Sequence, residues 1–481
     1  MPRYSYPFCD NTLLILDRLF LCIVKRILIL GGGFAGIECC LKLESYFKNN
    51  SEIEITLVSE DNFILFTPML PQVASGTIET RHIVTPIRTL IKKTKFYEGK
   101  IKYIDPHGKS VALYGTDENR GMLIHYDFLI VALGSQTNFF GMKDVEEKSY
   151  RMSTINDAIL LRNRIIDLME HAENETDPIL RKALLKIVIV GGGFAGVETA
   201  GELNDFINDV SQYYPSIDER DVRVMLIEAS TEILTGFPQK LAGFAKEKLV
   251  ERGIDVILDA GVTSFNGQEV LLKSNSNSNK VLLSDSSQEK GHAELVKLNS
   301  ISSRTLVWTA GVTPTDLIKE SLFNTHKGRI IVNEYLQVTQ FPEVFAIGDC
   351  SIFDPELTMK KFPPTAQIAE AHAKTAAGNL KELLTGGTLS KFDYSWKGQS
   401  AIIGKRTGIA SFFGINISGF LAYLLWRNLY LSKIRSSDKK FRVWLDWSLD
   451  LFFKRDISRL KIVKKERSLD YKELDEVDDV W

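Results

Sequence analysis

The segment KRILILGGGFAGIE, Lys25 to Glu38, is nearly repeated as KIVIVGGGFAGVE from Lys186 to Glu198, with the shared hexapeptide beginning at Gly31 and again at Gly191. In each copy an aliphatic run supplies a buried strand, the glycines permit a tight turn, and backbone N–H groups at the start of the next helix can approach a pyrophosphate. One glycine-rich turn after a strand is common. Two in register, 160 positions apart, imply two dinucleotide sites, one for a flavin and one for a nicotinamide. The fold class that follows is α/β: two Rossmann-type domains, the second inserted in the first, then a C-terminal helical region that associates with a membrane.

The chain of 481 residues, 44% hydrophobic with net charge −2, suits a multidomain soluble core and points to neither nucleic acid nor an acidic substrate. Five cysteines (Cys9, Cys22, Cys39, Cys40, Cys350) include no CxxC pair, which disfavours a thioredoxin-type dithiol and zinc ribbons and favours a reducing compartment. Of the seven histidines, His107, His125, His171, His292, His326 and His372 are scattered without ligand spacing, so no metal is expected. An N-terminal extension covers 1–24; Asp17 and Arg18 interrupt its apolar part, so a cleaved signal is not expected.

Periodicity divides the chain into a first nucleotide domain at 25–150, a second at 151–340, the completion of the first at 341–393, a membrane-anchoring region at 394–467 and an acidic tail at 468–481. Within the second domain the polar stretch 271–303 reads as a long mobile hairpin loop. The apolar stretch Phe412 to Leu431 is long enough to span a bilayer, but Asn416, Ser418, Arg427 and Asn428 interrupt it and disfavour spanning. Beyond it, helical spacing sets Phe441, Trp444, Leu445, Leu449 and Phe452 on one face and Arg442, Asp446, Asp450 and Lys454 on the other. Twelve Lys or Arg against five Asp or Glu between Lys433 and Arg467 would attract anionic lipid. A dimer interface or a core helix would give the same stripe. Truncation after about Ile409 is expected to detach the anchor and leave the nucleotide domains able to bind FAD.

In the first domain Gly31, Gly33 and Gly36, with Phe34 and Ala35 between them, would hold the FAD pyrophosphate. Glu60 is the candidate ribose ligand, although Ser59 occupies the simpler place for a carboxylate. Ala132 and Gly134 in VALGS would pass near this cofactor, and Asp349 in VFAIGDC follows a strand and a glycine, where its carboxylate can bond ribitol hydroxyls. In the second domain Gly191, Gly193 and Gly196 would hold the NADH pyrophosphate, and the third strand ends at Ala310 and Gly311. Glu228 ends the second strand there; its carboxylate can bond the ribose 2′-hydroxyl and would repel the 2′-phosphate of NADPH.

The paired turns, FTPMLPQVASG (Phe66 to Gly76), VALGS, WTAGV, VFAIGDC, TAQIAEAHA (Thr365 to Ala373) and a C-terminus ending KRDISRL together resemble the type II NADH dehydrogenases, single-subunit NADH:quinone oxidoreductases that do not pump protons. The resemblance implies FAD in the first domain, NADH as substrate in the second, and a membrane quinone as acceptor. A homodimer is expected, and the basic amphipathic C-terminus puts peripheral attachment on the cytoplasmic face of the cell membrane. The resemblance sets Thr67 and Pro68 along the isoalloxazine, Ala366 at the cofactor, and Gln367 and Glu370 on the quinone side, Glu370 standing where the family pattern has a second glutamine. For Glu198 two readings stay open: electrostatic support of the helix start, or the proton-delivering role the resemblance suggests. Lys405 pairs with Glu198 or the quinone oxygen, or lies on the surface. The competing functions are a sulfide:quinone oxidoreductase, disfavoured because only Cys350 lies in a flavin-contact segment, and a non-enzymatic NAD-binding flavoprotein sensor.

Overall fold

The computed structural model describes residues 24–114, 121–218, 221–274, 279–282, 293–296, 299–353 and 362–459. The expected extension at 1–24, apart from its last residue, and the acidic tail at 468–481 lie outside them. The chain divides into two compact units, the first built from 1–62, 87–134 and 314–394, the second from 63–86, 135–313 and 395–481.

In the first unit the strand Lys25–Leu30 lies between Ile53–Ser59 and Phe128–Val131, all parallel, with Leu30 opposite Val58 on one side and Val131 on the other. Four of its six residues are buried, as a strand covered on both faces requires. The strand Phe341–Ala346 pairs parallel with Phe128–Val131, so the first sheet is completed by chain that follows the inserted unit. The helix Phe34–Tyr46 follows the first glycine turn and packs on the helix Ala366–Thr385.

The second unit repeats this scheme. Lys186–Val190 lies between Arg223–Ile227 and Thr305–Trp308 in parallel register, and Ile254–Leu258 extends the sheet. The polar stretch 271–303 is not one long loop: Asn279–Leu282 and Ala293–Val296 pair as an antiparallel hairpin, whose first strand joins Ile254–Leu258 at the sheet edge. Glu269–Ser274 and Ser300–Ser302 pair in a separate small sheet.

The C-terminal region belongs to the second unit's core. It begins with an antiparallel sheet of Gly398–Ile402, Gly408–Phe412 and Ile415–Gly419, then the helices Phe420–Lys433 and Ser437–Leu449. Phe412 to Leu431 is therefore divided between two strands and a helix, and among the described residues no helix is long and apolar enough to cross a membrane. Ala401, Ile402, Ile403, Ile409, Trp426, Val443 and Trp447 share one core with Val197, Leu203 and Phe206 of the second nucleotide helix, Phe194–Val210.

Candidate functional site

Both glycine turns are built alike. Gly31 and Gly191 adopt φ of +108° and +110°, a region closed to most side chains. A Cβ on Gly31 would lie 2.3 Å from the Ala132 carbonyl, and one on Gly191 would lie 3.0 Å from Ala310, so each turn is backed by the small-residue end of a neighbouring strand. A Cβ on Gly36 or Gly196 would come within 1.9 or 1.8 Å of the carbonyl of Gly31 or Gly191, which keeps helix and turn in contact. Gly33 and Gly193, the N-caps of the two helices, face open space. Neither helix has a capping side chain or an acidic residue in its first turn. The N-terminal N–H groups thus have no side-chain cap to compete with an anionic phosphate. Phe34 and Ala35, and Phe194 and its successor, begin those helices. The donor set fits a dinucleotide pyrophosphate in each unit.

The two turns differ at the second strand. The Glu228 carboxylate accepts hydrogen bonds from Gly192 N–H at 2.6 Å and from the backbone and hydroxyl of Ser230, each at 2.7 Å. In the first unit the residue against the middle glycine is Ser59, whose Oγ would lie 2.5 Å from a Cβ on Gly32, and Glu60 is the exposed residue after it. Also in the first unit, Gly348 with φ +75° begins the short turn that leaves Asp349 half-buried between buried Gly348 and Cys350. Gly134 has positive φ after the Phe128–Val131 strand, and Gly311 does so after Thr305–Trp308.

The helix Ala366–Thr385 starts with Thr365 as N-cap, its hydroxyl accepting from Ile368 N–H. Ala366, Gln367 and Glu370 are half-buried on its first turns, and the Tyr394 hydroxyl donates to Gln367 Oε1 at 3.0 Å. Thr67 and Pro68 form a single 3₁₀ turn in the second unit, Thr67 exposed.

Glu198 is 4% exposed in the Phe194–Val210 helix. Its Oε1 accepts from the Ile402 backbone N–H and from Trp426 Nε1, each at 3.1 Å. Burial, opposed by those two bonds and reinforced by nearby Glu202, pushes its pKa up to about 8, so the carboxyl holds a proton at neutral pH. A neutral group gives the positive helix end little, which leaves the electrostatic-support reading without a charge to act through. Lys405 is not its partner. The Lys405 ammonium stands 4.0 Å from Asp209 and its backbone N–H donates to Asp205, because the turn through Gly404 carries it farther along the same helix.

Residues 198, 202, 205 and 209 fall on one face of that helix, and sequence reasoning passed over the last three. Glu202 accepts from Ser75 at 2.8 Å and Thr77 at 3.2 Å and pairs with Arg455 at 3.4 Å; Asp205 pairs with Arg252. Arg455, 6% exposed, also meets Asp209 and Asp450. Burial pushes the Glu202 and Asp205 carboxyls above their usual range against the pull of these arginines. The spacing of acids from Glu198 to Asp209 was the signal that could have found them.

The Ser437–Leu449 helix keeps its apolar stripe outward and packs through its other side. Phe441, Trp444, Leu445 and Leu449 are exposed, while Asp446 bonds His82 Nδ1 at 2.5 Å and Trp447 donates to Gln72 at 3.0 Å within the unit. The Cys350 thiol is fully buried and pushed up to about 11, and Cys39 and Cys40 are buried in the first nucleotide helix with raised pKa values; all three are free thiols. Among the described residues no three His, Cys, Asp or Glu are grouped to hold a metal ion.

Residues 25–373 match the profile of the pyridine nucleotide-disulphide oxidoreductases, and 396–456 match the NDH2 C-terminal domain. A protein from Dictyostelium discoideum named probable NADH dehydrogenase is 34% identical over 444 residues, covering 90% of this chain and 91% of that one. The type II NADH:quinone oxidoreductase of Staphylococcus aureus is 28% identical, over 82% of this chain and 91% of its own. The structure of NDH2 from Plasmodium falciparum in complex with NADH superposes with TM-score 0.80 at 23% identity, covering 90% of this chain and all of that one, a likeness of fold. With both glycine turns, the C-terminal domain and relatives of this kind in agreement, the chain belongs to the type II NADH dehydrogenase family.

Proposed function

We infer that this protein oxidises NADH and reduces a membrane quinone through FAD, without pumping protons. When bound, FAD supplies the two-electron chemistry, taking a hydride from NADH and passing electrons to quinone. The chain's own residues bind, orient and protonate. Gly31, Gly33 and Gly36 hold the FAD pyrophosphate, with Ala132 and Gly134 along the cofactor, Asp349 on its ribitol, Glu60 on its ribose, and Thr67 and Pro68 against its ring. Gly191, Gly193 and Gly196 hold NADH, with Ala310 and Gly311 beside it, and Glu228 selects it over NADPH. Ala366 lies at the cofactor, and Gln367 and Glu370 form the quinone side.

The observation that carries this reading is Glu198: the helix that begins at the nicotinamide turn holds a carboxyl that keeps its proton at neutral pH, bonded to Trp426 of the C-terminal region. A group of that kind can give up a proton where a reduced quinone needs one. NADH oxidation by the purified full chain, assayed with several quinones and with NADPH and sulfide as alternative donors, tests the function. Quinone-dependent NADH turnover is expected. Sulfide-driven reduction would favour the sulfide:quinone reading, against which the buried, high-pKa Cys350 thiol speaks. Cofactor binding without turnover would favour the sensor.

The exposed apolar residues of the Ser437–Leu449 helix, with Phe452 at 82% exposure and the basic surplus around them, support peripheral attachment to anionic lipid. We place that attachment on the cytoplasmic face and the protein as a homodimer. Co-sedimentation with anionic and zwitterionic vesicles, protease access in intact cells and light scattering test these three points.

A further inference from the structure

The turn that presents Asp349 is held from behind by a histidine. Gly348 N–H donates to His372 Nδ1 at 3.1 Å in the buried interior of the first unit. An Nδ1 that accepts carries no hydrogen, so the imidazole is the Nε2–H tautomer. Nε2 is buried with no hydrogen-bond partner, and the ring meets Phe392 edge-to-face at 4.5 Å and Phe353 at 5.6 Å. Burial in this aromatic cage pushes the imidazole pKa down to about 3, which keeps the acceptor lone pair free throughout the physiological range. The other side of the same residue is also fixed: Ser351 Oγ donates to the Gly348 carbonyl at 2.9 Å. A Cβ on Gly348 would touch Ala35 at 3.4 Å and Ala369 at 3.5 Å, between the two helices packed there, and its φ is +75°. The peptide around Gly348 is thus over-determined, as a turn in a sparsely populated conformation must be if it is to hold one geometry.

The cage also leads to the quinone-side helix, which carries His372 itself. Phe353 stacks on Phe392 at 5.5 Å and 18°, Phe392 on Tyr394 at 6.4 Å and 4°, and the Tyr394 hydroxyl donates to Gln367 at 3.0 Å. We propose that His372 is a positioning residue for the flavin site, an imidazole acceptor that fixes the Gly348–Asp349 turn and, through the Phe353–Phe392–Tyr394 stack, holds that turn in register with Gln367. The proposal rests on the reading of Asp349 as the ribitol ligand.

Flavin affinity of the full-length protein, read by flavin fluorescence on dilution, and hydrogen exchange over residues 344–353 test it with His372→Phe, His372→Asn and Asp349→Asn. Phe keeps the ring and removes the acceptor; Asn restores an acceptor at the same distance from the backbone. His372→Phe is expected to loosen FAD about tenfold and speed exchange of the Gly348 amide, the effect of one buried donor left unpaired. His372→Asn should recover most of both, and Asp349→Asn should loosen FAD without changing that exchange. Wild-type affinity in His372→Phe with loosened FAD in Asp349→Asn overturns the positioning role, as does equal loosening in the Phe and Asn variants. Wild-type affinity in Asp349→Asn overturns the ribitol reading beneath it. Should the Phe variant not fold, ¹⁵N spectra of the wild-type His372 ring decide: a non-titrating Nε2–H tautomer between pH 5 and 8 supports the proposal, and an Nδ1–H or titrating ring overturns it.

Discussion

At the scale of single residues, the same amino acid, glutamate, does opposite things at Glu228 and Glu198 because of what surrounds it. Glu228 sits at a strand end, where Gly192 and Ser230 donate hydrogen bonds to its carboxylate. Its replacement by Ala should narrow the NADH-over-NADPH preference by about tenfold or more, measured as the ratio of kcat/KM values, since the repulsion of the 2′-phosphate goes with it. Glu198 is wrapped by apolar core and keeps its proton to about pH 8. Its native pKa lies above that of the unfolded chain, so the native state binds the proton more tightly and stability falls as pH rises from about 4.5 to about 8. Glu198→Gln cannot titrate. Its stability relative to wild type should therefore grow over that window, by up to about 5 kcal/mol for a shift of this size, and level off above it. Thermal melts of both proteins at pH 5, 6, 7 and 8 measure the trend; parallel curves would mean Glu198 is already ionised.

At the scale of elements, the Ser437–Leu449 helix shows how spacing reveals a stripe but not which side of it meets protein. Phe441 and Trp444 point outward, whereas Val443 and Trp447 are buried and Asp446 and Asp450 are bonded within the unit. Phe441→Ser with Trp444→Ser should weaken sedimentation with anionic vesicles and leave the melting temperature nearly unchanged. Trp426→Ala, one element earlier, should cost about 3–5 kcal/mol by opening a cavity in the core and removing a donor to Glu198. The stripe was legible because four exposed apolar residues repeat at helical period. Its inward face was not, because His82 and Gln72, the partners of Asp446 and Trp447, are more than 360 positions away in sequence.

At the scale of the whole molecule, the C-terminal region is part of the second unit and not an appendage to it. Buried Arg455 joins Glu202, Asp209 and Asp450, and Trp426 and Trp447 complete the core around the second nucleotide helix. Truncation after Ile409 therefore should not release an intact enzyme. It should leave a protease-sensitive second unit that fails to bind NADH, because removing Arg455 strands buried carboxyls and removing both tryptophans empties the core. Limited proteolysis and NADH titration of the truncated chain check this; a stable, NADH-binding fragment would restore the picture of a detachable anchor.

The sequence by itself determined the two dinucleotide turns and the strands feeding them, because a glycine turn and its strand are local: φ, strand period and helix start lie within about fifteen residues. It also marked Glu228 and Asp349, each tied to the end of a strand. Only the tertiary structure decided the protonation of Glu198, the partner of Lys405, the acid face closed by Arg455, the strand pairing in the polar stretch and the place of His372. Each of these depends on desolvation or on a hydrogen bond between residues distant in sequence, and neither leaves a periodicity to read. His372 is one of several scattered histidines until a buried amide is placed 3.1 Å from its ring.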